Sequence, residues 1–213
     1  MHSKLRLVSA AVFLIGATAL VTTEVVRAQQ DKDKKAPPAG MDPAMMQKMM
    51  ELATPGAEHK KLASLAGSWT DHYKMKMDPA SDAWTDAEGT SEWKSVLGGR
   101  YMMENVHSTM MGAPFEGLQF FGYDKQANEY VSIWMDSYST WPMMMRGKEA
   151  KDGSIELKGT MTDVMGSRPS RMVIKPSPDH AAIEMYDTAP GKGEVLMMKI
   201  DCQKAGGGGS PKK

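Results

Sequence analysis

Between Gly67 and Cys202 apolar and polar positions alternate in short runs, each cut off by Gly, Pro, Asp or Asn. A period of two, with β-branched and aromatic side chains and turn residues at both ends, predicts half-buried strands. Ten are predicted, over residues 68–77, 85–96, 101–110, 116–123, 130–137, 143–149, 154–161, 171–175, 181–186 and 194–202. Asp78-Pro79, Gly98-Gly99, Gly112-Ala113-Pro114, Lys151-Asp152-Gly153 and Pro176-Ser177-Pro178-Asp179 supply turn chemistry between them, several of hairpin length. No helical period interrupts the strands, so parallel crossovers have no place. The pattern predicts an all-β chain, an up-and-down antiparallel β-barrel of about ten strands with one or two short N-terminal helices. A closed tube of that size has an interior in which a small ligand can sit.

Upstream the period changes. Asp42-Pro43 suits a helix start, with Asp42 as cap and Pro43 in the first turn. Met45, Met46, Met49, Met50 and Ala53 then recur at three- and four-residue spacings, a methionine-rich face over residues 42–56. A second short helix is expected over 57–66, stopped by Gly67. Residues 1–28 read as a secretory signal: Lys4 and Arg6, an apolar run over 7–21, then small residues before Gln29. That run is shorter than the ~20 residues a spanning helix needs. The expected organisation is signal 1–28, linker 29–41, Met-rich helix 42–56, barrel 57–204 and flexible tail 205–213. The expected location is periplasmic or secreted, with no integral membrane segment once the signal is cleaved.

The charge is balanced at 26 basic and 26 acidic residues, and removing 1–28 leaves 23 and 25. Neither figure gives the basic footprint of a nucleic-acid binder. One cysteine, Cys202, leaves no disulfide within the chain, so stability rests on an apolar core. Cys202 itself reads as a small buried strand residue.

A short helix containing His59 leads into Leu65-Ala66-Gly67-Ser68-Trp69. Leu97-Gly98-Gly99-Arg100-Tyr101 with Glu104, Gly122-Tyr123-Asp124 and Trp134-Met135-Asp136-Ser137 follow in order. This order resembles the DUF1579 family of bacterial proteins of unknown function, over most of residues 57–202. The resemblance implies a relative of the calycin barrels, which include lipocalins, fatty-acid-binding proteins and nitrobindin-type haem barrels. It also implies a Gly-x-Trp at the first strand, here Gly67 and Trp69. It implies no activity.

Strand parity sorts the candidate chemistry. Over 101–110 one face carries Tyr101, Met103, Asn105, His107 and Thr109, and the other Met102, Glu104, Val106, Ser108 and Met110. Over 130–137, Tyr130, Ser132, Trp134 and Asp136 share a face. An inward Glu104 or Asp136 loses hydration and must find a donor or keep its proton; Arg146, Arg171 and Lys199 are the candidate partners. The candidate ligand-binding residues are Tyr101, Glu104, Trp134, Asp136 and Tyr138, aromatic walls beside isolated carboxyls. No catalytic residue is named, because no nucleophile elbow, phosphate loop or dinucleotide fingerprint is present.

The histidines lie at no metal-binding spacing. No cofactor is expected. A haem would need an axial ligand, and His107 is the one strand-centred candidate. Twenty-two methionines offer thioethers to Cu(I), though deformable core filler is the commoner use. The leading expectation is a barrel that binds a small, mostly apolar ligand in its interior. The alternative is a filled barrel with a structural or interaction role, its partner docking on the 42–56 helix. Cu(I) handling is a third reading.

Overall fold

The computed structural model describes residues 42–164 and 166–206. The expected signal (1–28), linker (29–41) and the tail beyond residue 206 lie outside the described residues. The chain divides into two compact units, Met1–Met50 and Glu51–Lys213, the boundary falling within the first helix.

That helix, α1 (Pro43–Ala53), starts as its sequence requires. The Ala44 N–H donates to Asp42 Oδ1 at 2.9 Å, and the Met46 N–H to the Asp42 carbonyl at 3.0 Å. None of its residues is buried, and Met45, Met49 and Met50 are exposed. In α2 (Ala57–Ala63) the His59 ring turns back to accept the Gly56 N–H at 3.0 Å, capping the helix from inside.

Ten strands follow: β1 (Gly67–Met75), β2 (Thr85–Val96), β3 (Tyr101–Met110), β4 (Ala113–Asp124), β5 (Glu129–Asp136), β6 (Met143–Glu149), β7 (Ile155–Asp163), β8 (Gly166–Pro176), β9 (His180–Ala189) and β10 (Gly193–Lys204). Each pairs antiparallel with its neighbour in sequence, and β1 pairs with β10, from Trp69↔Lys204 to Met75↔Met198. The tube is closed, as the alternation predicts. β2, β3 and β6 match their predicted bounds. β8 begins five residues earlier than expected, because Pro169 sits within a paired strand opposite Thr160, where proline ordinarily argues against one. β4 begins at Ala113, since Met111 and Gly112, both at positive φ, turn the chain in two residues.

Pairing fixes which parity faces inward. Trp69, Asp71, Tyr73 and Met75 on β1 share the interior with Met102, Glu104 and Val106 on β3 and with Phe115, Gln119 and Phe121 on β4. One end of the tube is covered by α2. Leu62 and Leu65 pack on Trp69, Phe121, Tyr130, Ile155 and Leu157, and the Trp69 indole donates to the Leu65 carbonyl at 2.8 Å. Lys61 pins the helix there, 2.9 Å from Glu149 and 3.0 Å from the Gly153 carbonyl. At the opposite end a smaller cluster of Tyr73, Met75, Val106 and Phe115 carries partly exposed Met110, Trp134 and Met198. This end, opposite the one that α2 covers, is the mouth.

Candidate functional site

At mid-depth two carboxyl groups sit among apolar walls. Asp71 is 1% exposed and Glu104 9%. Asp71 lies in register between Cys202 on β10 and Gly89 on β2. Its Oδ2 accepts a long hydrogen bond of 3.5 Å from the Tyr73 hydroxyl, and its Oδ1 has no partner. No ion pair reaches either carboxyl among the described residues. The two cations of interior parity are engaged elsewhere: Lys204 donates to the Ser64 carbonyl at 3.0 Å, and Arg168 at the mouth binds Asp163 and Asp187 at 2.7 and 2.9 Å.

Burial, then the nearby Asp71 charge, pushes the Glu104 carboxyl up to about 8, with Ser91 and Trp93 beside it pulling the other way. Glu104 therefore holds its proton at neutral pH. Ser91 lies close enough to favour the carboxylate, yet its Oγ completes no hydrogen bond in this geometry. Burial first, and Asp71 second, also raise the Tyr73 hydroxyl and the Cys202 thiol, so both stay neutral. The result is a buried carboxyl pair in which Glu104 keeps its proton and Asp71 Oδ1 is an unfilled acceptor.

From Glu104 a polar-aromatic row leads outward across the register Trp93↔Glu104↔Gln119↔Trp134↔Met143. Gln119 donates to Ser132 Oγ at 2.6 Å. The Trp134 indole donates to Asp136 Oδ2 at 2.9 Å, and Asp136 Oδ1 accepts the Tyr138 N–H at 2.9 Å. Phe115 stacks on Trp134 at 6.3 Å and meets Tyr138 edge-on at 5.5 Å. Gly117 makes room for the indole: a Cβ there would lie 2.2 Å from Trp134 Cη2.

Of the residues expected from sequence, Glu104, Trp134 and Asp136 thus face inward, and Tyr138 stands at the rim with its hydroxyl on the Met110 carbonyl at 2.8 Å. Tyr101 does not join them. It is outward, 38% exposed, its ring lying over Gly122 on the outer wall. Tyr101 and Glu104 have opposite parity, so one interior cannot hold both. The expected cationic partners are also outside. Arg146 pairs with Asp124, Arg171 with Glu194, and Lys199 lies 5.9 Å from the Trp84 ring. His107, the axial-ligand candidate for haem, is exposed on the outer face. His59 is buried against Tyr123 with its pKa lowered chiefly by burial. No trio of His, Cys, Asp or Glu is placed to hold a metal among the described residues.

The sequence reading missed Asp71, although its parity with Trp69 and Tyr73 was the available signal. It also missed a row that needs the register. Met75↔Met198, Met198↔Met185 and Met185↔Met172 are direct cross-strand pairs, so four methionines stand side by side on the inner face of β1, β10, β9 and β8. Directly opposed residues have Cα atoms ~4.5–5.5 Å apart, within reach of touching thioethers. A bulge between Leu196 and Met198 shifts the register so that Met198 takes its place in this row. A separate concavity of about 350 Å³ crosses β2, β1, β10 and β9, lined mainly by outward residues such as His72, Glu88, Glu184, Lys199 and Asp201.

Among the described residues no helix is long and apolar enough to cross a membrane. The family model for "Protein of unknown function (DUF1579)" matches residues 54–204. Among solved structures, Rv2717c from M. tuberculosis superposes with a TM-score of 0.55 at 11% identity, covering 71% of this chain and 99% of that one. The S-type phycobiliprotein lyase CPES from Guillardia theta gives 0.50 at 11% identity, covering 70% and 98%. At such identity the likeness carries the fold alone. No curated protein matches the chain.

Proposed function

We propose that this chain, which belongs to the DUF1579 family of proteins of unknown function, is a binding protein for a small, mostly apolar ligand whose polar end donates hydrogen bonds. One observation carries the reading: the interior keeps a buried carboxyl acceptor, Asp71 Oδ1, that the protein itself leaves unpaired. An unsatisfied buried acceptor costs roughly 1–3 kcal/mol, a cost a bound donor removes. Protonated Glu104 and Ser91 flank it. Aromatic rings and the methionine row supply a deformable apolar lining. Trp134, Asp136 and Tyr138 stand on the way in from the mouth. The signal-like residues 1–28 support a periplasmic or secreted location.

The test is calorimetric titration with dodecylamine and, separately, dodecanoate. The amine is expected to bind at least tenfold tighter, and Asp71→Asn to remove that preference. Tighter binding of dodecanoate, or no binding of either, sinks the proposal.

A second reading, Cu(I) handling, is favoured by one observation, the row Met172, Met185, Met198 and Met75. Anaerobic Cu(I) titration against a bicinchoninate competitor decides it: a Met185→Leu, Met198→Leu double variant that retains full affinity removes the row from the site.

A further inference from the structure

The two ends of the barrel differ in what their turns display. At the α2 end the connections read Lys125-Gln126-Ala127-Asn128, Lys151-Asp152-Gly153 and Ser177-Pro178-Asp179, without a large apolar side chain, with Leu97 in the remaining connection the exception. At the mouth four of the five connections carry large apolar side chains: Met77, Met111, Tyr138, Trp141 and Val164. Each keeps 44% or more of its surface in solvent.

The two aromatics among them are held in place by hydrogen bonds. The Tyr138 hydroxyl donates to the Met110 carbonyl at 2.8 Å, tying the β5–β6 loop to the β3–β4 turn. The Trp141 indole donates to the Thr162 carbonyl at 3.0 Å, tying the same loop to β7. Lys192 of the β9–β10 turn reaches the Ala80 carbonyl at 3.3 Å. The polar handles of both aromatics are spent on neighbouring strand ends.

Met111 makes the point from the backbone. It sits at φ 50° before Gly112 at φ 78°, in a two-residue turn whose first position favours Asn, Asp or Gly. At the α2 end the left-handed non-glycine positions are filled by Asn128 at φ 55° and by Leu97 at φ 51°. Turn geometry and solvent both favour a small polar residue at 111, and the chain carries methionine.

We propose that the mouth rim docks on the surface of an uncharged or zwitterionic lipid bilayer, the loop tips entering the headgroup layer around the barrel opening. Separate hairpin tips around a central opening present no continuous face to a folded partner, whereas a bilayer accepts each tip alone. Trp and Tyr are the side chains enriched at that interface. Charge selects the lipid class: the five mouth connections hold Lys76 and Lys192 against Asp78 and Asp82, a net of zero, without the basic cluster that anionic lipid attracts. Docking in this pose points the interior at the membrane and is independent of what the interior binds.

The test is flotation of the chain from Gln29 onward, so that the apolar run at 7–21 does not itself partition, with phosphatidylcholine vesicles. Met111→Asn and Val164→Ser are each expected to weaken vesicle binding about tenfold, while Leu97→Asn at the far end leaves it unchanged. Met111→Asn is also expected to raise the melting temperature, which separates lost docking from lost folding. Absence of flotation, equal loss in Leu97→Asn, or undiminished binding by both mouth variants overturns the proposal. So does light scattering that shows a dimer dissolved by Met111→Asn, which would assign the ring to self-association.

Discussion

Replacing Glu104 by Gln should stabilise the protein, and increasingly so as pH rises. The Glu104 carboxyl titrates near 8 when folded and near its ordinary 4.5 when the chain is open. Between those values the unfolded state has released the proton and the native state still holds it, so unfolding releases a proton and stability falls as pH rises. The slope is about 1.4 kcal/mol per pH unit. By pH 7 the accumulated loss is on the order of 3 kcal/mol, and it levels off near 5 kcal/mol above pH 8, where both states are ionised. Glutamine mimics the protonated carboxyl in shape and cannot ionise, so it escapes this loss. Urea denaturation at unit pH steps from 4 to 9, followed by tryptophan fluorescence, would measure the difference between parent and variant. The acid-side losses of ion-paired carboxyls such as Glu194 and Asp201, whose folded pKa values are lowered by Arg171 and His180, are common to both proteins and cancel. The two curves should meet near pH 4.5 and separate above it. At neutral pH the gap corresponds to roughly 10 °C in melting temperature for a domain of this size. Parallel curves across the range would show that Glu104 ionises normally in the fold, and the neutral Glu104 beside Asp71 would be lost with it.

Gly117→Ala should drive a methyl group into the Trp134 ring and cost about 1–3 kcal/mol by overpacking; a changed near-ultraviolet circular dichroism band would report the displaced indole. Arg168→Met should remove the cation that Asp163 and Asp187 share at the mouth, a loss of about 3 kcal/mol read as a lowered urea midpoint at neutral pH.

The strands were readable because alternation is local. A run such as residues 101–110 needs no knowledge of its neighbours to declare two faces. What alternation does not say is which face looks inward, and that is how Tyr101 and Glu104, of opposite parity, were both expected in one site. Asp71 was legible in principle through its parity with Trp69 and Tyr73, but in sequence it stands between Thr70 and His72 in a stretch that reads as polar. The methionine row was not legible at all. It exists only once four strands from distant parts of the chain adopt a common register, and a bulge before Met198 sets part of that register. The signals for Tyr138 and Asp136 were better, since a Trp-x-Asp-x-Tyr run at a strand end places its odd members on one side as the strand leaves the sheet.

The seam between β1 and β10 has a consequence for how the chain comes into being. A polypeptide delivered from its N-terminus exposes the first strand early, yet that strand's second partner is the last one made. Until Gly193–Lys204 arrives, the sheet is an open ribbon with two bare borders, each a template for sticking to another copy. Survival of the newborn chain is then a race between completion and aggregation, and loss of Gly193–Lys204 would leave nothing to win it.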